Sequence, residues 1–406
     1  MIKAYFFTQL EDKLNKIFRR FVRHGFYPTF MFVLRKLKKK FLPSKTISIR
    51  DSFNFINVEE AADPFVPSEQ NAQTINWFIP PFGFGSGGHT TIFRFIYGLE
   101  RLGFHANLVC VGFDEDADPL EILENIKLWF FPISCDVYLG ISDAPFAKFS
   151  VATSWETAYW LKHFSRTSRK IYFVQDFEPY FYPRSSLYFL AEETYKFGFY
   201  GITAGSWLKT KLQDDYSMEC TDFSFGYAKD QFFPLKREPR CFSRVLFYSR
   251  PPTERRAFEL GILAFEKLSK LYPELVFILM GWDLSNFNFT FNYENPGIVN
   301  RDDLNDLYNT CDIALVLSLT NLSLLPIELM ASGTVVVSNK GPNTEWFLNE
   351  KNSKLVDTSV DAIISGISCL LESPSELLQY RLEGFNSTKN LDWAYEFKKV
   401  AGIFEK

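Results

Sequence analysis

Between Cys311 and Glu345 the chain alternates apolar and polar blocks in the order strand, turn, helix, strand. Ile313 to Leu317 is an unbroken apolar run, Ser318 to Ser323 a polar turn, and Leu325-Pro326 opens a helix that Gly333 ends. Thr334 to Val337 follows as a second apolar run, and two such runs bridged by a helix predict a parallel βαβ unit. The same rhythm recurs earlier. Ile75 to Ile79 predicts a strand, PPFGFGSGGHT a Gly-rich turn, Thr91 to Leu102 an apolar helix, and Ala106 to Val111 the next strand. Val151 to Thr157, Lys170 to Asp176, Arg244 to Tyr248 and Leu275 to Met280 read as further strands that open onto loops. Strands and helices in regular alternation predict the α/β class, built on doubly wound parallel sheets.

At 406 residues the chain exceeds what one core supports, so two domains of about 150 to 200 residues are expected. A hydrophobic fraction of 47% and a charged fraction of 23% suit a globular protein. The net charge of −4 gives no electrostatic case for nucleic acid as a partner. That charge is uneven, because residues 1 to 50 hold thirteen Lys or Arg against Glu11 and Asp12 alone. In residues 12–41, Leu14, Ile17, Phe18, Phe21 and Val22 share one helical face, with basic residues elsewhere. Such a helix suits an anionic inner leaflet, or it docks its apolar face on the protein itself. No run reaches the roughly 18 to 20 apolar residues of a membrane span. The six cysteines are scattered without CxxC pairs, which points to reduced thiols, a cytoplasmic setting and no structural zinc.

Candidate chemistry falls on the loops. A ligand crevice is expected at the carboxyl ends of parallel strands, with phosphate at a helix start. Glu328, near the first turn of the Leu325 helix, can accept from ribose hydroxyls or merely complement the helix dipole. Gly83, Gly85, Gly87 and Gly88 allow the first loop to wrap a phosphate or sugar, with His89 either facing the cleft or structural. Asp114 to Asp118 carries two overlapping DxD triplets, a metal-on-diphosphate pattern, but it precedes Pro119 and a helix, where acidic caps are common. Asp176 and Glu178 place carboxylates at a strand end, beside the aromatic loop Phe177, Tyr180 and Tyr182, whose rings suit sugar faces. Arg250 and Arg255, at a strand-to-helix turn, offer planar forks to phosphate oxygens.

The segment PIELMASGTVVVSNKGPNTE resembles the donor-site signature of the retaining GT-B glycosyltransferases of family four. VQDFEPYFYP is similar to a segment of the bacterial rhamnosyltransferases of S-layer glycan and rhamnan assembly, the WsaF-like group. The resemblance covers residues 70 to 406. It implies two Rossmann-like domains facing a cleft, preceded by a basic helical extension, with boundaries expected at 1–45, 46–234 (acceptor), 242–385 (donor) and 386–406, a helix crossing back. It implies that Glu328 holds the nucleotide ribose and that Arg250 and Arg255 neutralise the donor diphosphate. Arg301, Thr320, Asn321, Gly87 and Gly88 would line the same donor site. Thr320 stands where the family has a second Glu, so donor-sugar contacts depart from the pattern. Asp176, Glu178 and Arg250 are the expected catalytic residues, and His89, Phe177, Tyr180 and Tyr182 the expected acceptor contacts. The implied reaction is transfer with retention, without metal, from dTDP-L-rhamnose or another nucleotide sugar to a lipid-linked bacterial surface glycan, at the inner face of the membrane. Three other readings stand beside it: a metal-dependent GT-A enzyme using Asp114 to Asp118, a nucleotide-sugar epimerase, and a non-catalytic nucleotide-sugar-binding protein.

Overall fold

The computed structural model describes residues 48–58, 73–114, 116–236 and 243–405. The basic stretch 12–41 and most of the linker 235–241 lie outside the described residues. Residues 48–57, with the short run around Asp114 to Asp118, form a small unit that holds one helical turn, Ile49–Ser52, and a 3-10 turn, Asn54–Asn57. The large unit carries two sheets.

The first sheet has seven strands: β1 Thr74–Ile79, β2 His105–Cys110, β3 Asp136–Leu139, β4 Ala147–Ala152, β5 Thr167–Val174, β6 Tyr200–Ala204 and β7 Cys220–Phe223. Their order is β3-β2-β1-β4-β5-β6-β7, with every neighbouring pair parallel. β1 and β4 are buried along nearly their whole length because helices cover both faces, which is why they read as continuous apolar runs. The second sheet has six strands: β8 Arg244–Tyr248, β9 Val276–Met280, β10 Tyr293–Gly297, β11 Ile313–Leu315, β12 Val335–Asn339 and β13 Lys354–Val356. Its order is β10-β9-β8-β11-β12-β13, again all parallel. In both sheets the winding reverses beside the first strand, between β1 and β4 and between β8 and β11. A crevice opens at the carboxyl ends there, and the loops that carry candidate chemistry leave from those ends.

One element differs from expectation. The helix after β1 spans Gly87–Glu100, starting four residues earlier than the apolar periodicity suggests. Gly87 and Gly88 are thus its first turn and not part of a wrapping loop; Gly85, with φ of 76°, is the glycine the turn requires. The helix after β11, Leu325–Ala331, has only seven residues, so its dipole gives little help to an anion. The last helix, Trp393–Phe404, packs on the first domain. Phe397 fills the space a side chain at Gly98 would need, since a Cβ there would lie 2.4 Å from its ring.

Candidate active site

The last residues of β5 are buried core, and the chain then turns out at Gln175 and Asp176. Asp176 faces the second domain. Its Oδ2 accepts from Thr320 Oγ1 at 2.9 Å and lies 3.6 Å from Arg255 Nε, an ion pair across the two domains. Its Oδ1 accepts from the Phe177 amide at 2.9 Å. Burial pushes the carboxyl up from its ordinary range, while Arg255, Arg256 and the Thr320 hydrogen bond pull it back.

Two arginines, Arg255 and Arg256, act on that carboxylate, and Arg250 stands beside Arg256. Arg250 follows β8, reaching the Tyr248 hydroxyl at 3.4 Å with its guanidinium 5.9 Å from the Trp282 ring. Arg255 and Arg256 stand on a 3-10 turn, Glu254–Arg256, that Ala257 closes in the left-handed region at φ of 49°. Arg255 stacks over Phe181 at 4.2 Å. Arg256 is buried, donates Nη1 to Ser318 Oγ at 2.9 Å, and is lowered in pKa by burial and by Arg255. The Nε atoms of Arg250 and Arg255 are buried without a hydrogen-bond partner. Three guanidinium groups, one carboxylate and two unused donors leave a local excess of positive charge, which an anion would relieve.

Glu178 is not beside Asp176 in the cleft. It is 6% exposed, and its Oε2 accepts from the Trp155 amide at 2.9 Å while its Oε1 accepts from the Tyr172 hydroxyl at 2.9 Å. Burial, then Glu156, pushes its pKa up to about 8. It accepts from the first amide of the Trp155–Lys162 helix and braces the loop through Tyr172. Phe177 is likewise core, packed on Tyr195 at 5.5 Å, and offers no ring to an acceptor. The single turn after β5 sends alternate aromatics inward. Tyr180, 45% exposed, faces solvent, whereas the Tyr182 hydroxyl accepts from Trp155 Nε1 at 3.1 Å.

His89 sits in the first turn of its helix. Its Nδ1 pairs with Ser86 Oγ at 2.7 Å, its Nε2 is buried without a partner, and burial lowers its pKa to about 4. Gly88 carries a carbonyl that accepts from Gln175 Nε2 at 3.1 Å, and nothing lies within 4 Å of a Cβ built at Gly87.

On the far side of the cleft, burial raises Glu328 to about 7, opposed by Arg94 and Arg301. Arg301 is held at the linker side. Its Nε donates to Gln231 Oε1 at 2.8 Å, Gln231 Nε2 donates back to its carbonyl, and its guanidinium lies 5.8 Å from the Phe131 ring. Arg94, on the Gly87–Glu100 helix, escaped the reading of the chain because it lies inside the apolar run Ile92 to Ile96; one charge in such a run is the signal that could have found it.

Asn321 is a bridge between domains. It is 1% exposed, and its amide donates to the Gln175 and Ala204 carbonyls, each at 2.9 Å. Its Oδ1 accepts from Trp346 Nε1 at 3.1 Å and from the Leu322 amide at 2.9 Å. Every polar atom of that side chain is used, which leaves none for a donor sugar. Thr320 donates its hydroxyl hydrogen to Asp176.

Among the described residues no group of three or more His, Cys, Asp or Glu is placed to hold a metal ion. Asp114 to Asp118 belongs to the small unit, where the Ala117 amide closes a turn on the Asp114 carbonyl at 3.0 Å.

Two parallel sheets with their carboxyl edges turned to one cleft, and an arginine cluster at it, define a GT-B fold. Solved structures agree on the fold. Sucrose-phosphate synthase from Thermosynechococcus elongatus superposes with a TM-score of 0.65 at 13% identity, over 82% of this chain and 98% of that one. The Anabaena protein Alr3699/HepE, solved in complex with UDP-glucose, gives a TM-score of 0.64 at 13% identity, over 81% and 98%. Family models for the WsaF C-terminal domain and the WsaF N-terminal domain match residues 243–368 and 147–204, so the chain is similar to WsaF over both stretches. It is 30% identical over 344 residues to the O-antigen biosynthesis protein RfbC of Myxococcus xanthus. The match takes in 81% of this chain and spans about a quarter, 26%, of that relative's length.

Proposed function

We propose that the chain transfers a sugar from a nucleotide-sugar donor, dTDP-L-rhamnose in the first instance, to a glycan acceptor on a bacterial surface polymer, with retention at the anomeric carbon. The observation that carries the reading is the cluster of Arg250, Arg255 and Arg256, the last two acting on Asp176, with the buried Nε donors of Arg250 and Arg255 lacking a hydrogen-bond partner. Transfer of a sugar leaves a nucleoside diphosphate, whose negative charge grows as the glycosidic bond breaks. Guanidinium groups already in position stabilise that charge with little reorganisation. Asp176, ion-paired with Arg255, steadies the positive charge that develops on the sugar ring. Glu328 accepts from a hydroxyl of the nucleoside sugar, and Tyr180 offers its exposed ring to the acceptor. Glu178 acts through the loop that presents Asp176. The UDP-glucose bound to the Anabaena neighbour supports a nucleotide-sugar donor, and the name of the Myxococcus relative supports a surface-glycan acceptor.

Titration calorimetry with dTDP-rhamnose, dTDP, UDP-glucose and GDP-mannose, with and without EDTA, is the test. Binding of the dTDP ligands that survives chelation is expected. Arg250→Ala should weaken it at least about tenfold, as loss of a charge-assisted hydrogen bond does. Asp176→Asn should keep donor binding and lower turnover about a hundredfold or more. Preference for another nucleotide would discard the rhamnose donor, and absence of nucleotide binding would sink the enzyme.

A further inference from the structure

The two carboxylate oxygens of Asp176 are held from different sides. Oδ1 accepts from the Phe177 amide at 2.9 Å, a bond within its own loop. Oδ2 accepts from Thr320 Oγ1 at 2.9 Å, a bond that comes from the other domain and from 144 positions away in the chain. Arg255 also reaches Oδ2, but at 3.6 Å its Nε attracts the charge without making a hydrogen bond. Coulomb attraction has little preference for direction, whereas a short hydroxyl bond fixes where the second oxygen lies. Among the described residues, Thr320 is thus the side chain that sets the orientation of the carboxylate.

The chain around Thr320 holds it to that task. Thr320 is 1% exposed, and the residues on either side of it are anchored. The Leu319 amide donates to the Arg255 carbonyl at 3.0 Å, and Asn321 Nδ2 donates to the carbonyls of Gln175 and Ala204, each at 2.9 Å. Asn321 therefore ties the loop after β11 to the residue next to Asp176, and the threonine between these anchors has its hydroxyl brought to Oδ2. Valine matches threonine in shape and lacks the donor.

We propose that Thr320 is a positioning residue for the transfer step: its hydroxyl, delivered by the second domain, turns the Asp176 carboxylate of the first domain toward the reacting sugar, so that a residue of each domain is needed to complete one catalytic group. The inference rests on the reading that Asp176 steadies the charge on the sugar ring.

The bond also leaves an electrostatic mark. Burial raises the Asp176 carboxyl, while Arg255, Arg256 and the hydrogen bonds from Thr320 and the Phe177 amide lower it. Glu178, on the same loop, and Tyr195, whose hydroxyl donates to the Asp176 carbonyl at 3.4 Å, are further titratable groups that it feels. None of these is removed when Thr320 is replaced, so loss of the hydroxyl moves the carboxyl upward.

The test is turnover of dTDP-rhamnose by the full chain, or of UDP-glucose or GDP-mannose if calorimetry selects one of them, read as release of the nucleoside diphosphate from pH 4 to pH 9. Thr320→Val should lower kcat about tenfold or more, as loss of a hydrogen bond to a charged group does, and leave KM for the donor within about twofold. The acid limb of its kcat profile should move to higher pH. Thr320→Ser keeps the hydroxyl and should restore both the rate and the limb. Thr320→Ala, which only removes atoms, carries the same expectation as valine if the valine variant fails to fold. The assignment is overturned if the variant without the hydroxyl turns over at the wild-type rate, if its kcat falls with the acid limb unmoved, or if serine is as impaired as valine. Wild-type turnover in Asp176→Asn, or no turnover of any of these nucleotide sugars by the wild-type chain, would instead remove the reading on which it rests.

Discussion

Glu178 and His89 give opposite signs to the pH dependence of stability. Glu178 has a carboxyl near 4.5 when unfolded and about 8 in the fold, so between those values the folded chain binds more protons. Stability is therefore fully present at low pH as far as this group is concerned and is lost as pH rises through 8. Glu328, raised to about 7, acts in the same direction. His89 is lowered from 6.5 to about 4, so the unfolded chain binds more protons there and stability is lost as pH falls through that window. Denaturant midpoints measured from pH 4 to pH 9 should pass through a maximum. Glu178→Gln should flatten the alkaline limb while leaving the acid limb in place, and His89→Gln should do the reverse. An unchanged alkaline limb in Glu178→Gln would show that its carboxyl is not the buried group described above.

At the scale of elements, the loop from Ser318 to Leu324 matters more than the helix it precedes. Ser318 is held by Arg256, by Asn339, whose Oδ1 accepts from its amide at 2.8 Å, and by Asn343, whose Nδ2 donates to its carbonyl at 2.8 Å. That fixes Thr320 and Asn321 so that they reach the ends of β5 and β6. Gly205, directly after β6, has φ of 85°, and a Cβ on it would lie 2.5 Å from Trp346. The indole that orients Asn321 therefore packs where only glycine leaves room. Asn321→Ala should strip partners from two carbonyls and one indole N–H, and so cost about 1 to 3 kcal/mol in a denaturant titration. Asn321→Asp keeps the size but exchanges two donors for a charge, and should cost at least as much. Loss of less than about 0.5 kcal/mol in both variants would mean that water replaces the bridge without penalty.

For the whole molecule, both sheets present their carboxyl edges to one cleft, so that Asp176 of the first domain is completed by Thr320 and Arg255 of the second. No helix among the described residues is long and apolar enough to cross a membrane. Attachment through the basic face of residues 12–41 to an anionic leaflet is a proposal from charge and periodicity. Liposomes with about a third anionic lipid should co-sediment the full chain and lose it when residues 1–42 are deleted, with binding that weakens as salt rises. Equal sedimentation of both forms would remove the membrane from the picture.

The sequence by itself determined the class of the fold and the places where chemistry collects. Apolar runs such as Ile75 to Ile79 and Ile313 to Leu315 name their strands because burial on both faces leaves no room for polar alternation. Arg250 and Arg255 were singled out through the family resemblance, since two arginines at a strand-to-helix turn are commonplace by themselves. What only the tertiary structure decided is which side chains are spent on the protein and which remain for a ligand. Glu178 and Asn321 look like site residues in the chain and prove fully hydrogen-bonded, while Arg94 looks like an error in an apolar helix and keeps an unused donor. The physical reason is distance in the chain. A hydrogen bond such as Thr320 to Asp176 joins residues 144 positions apart, and no local pattern records whether a partner that remote exists.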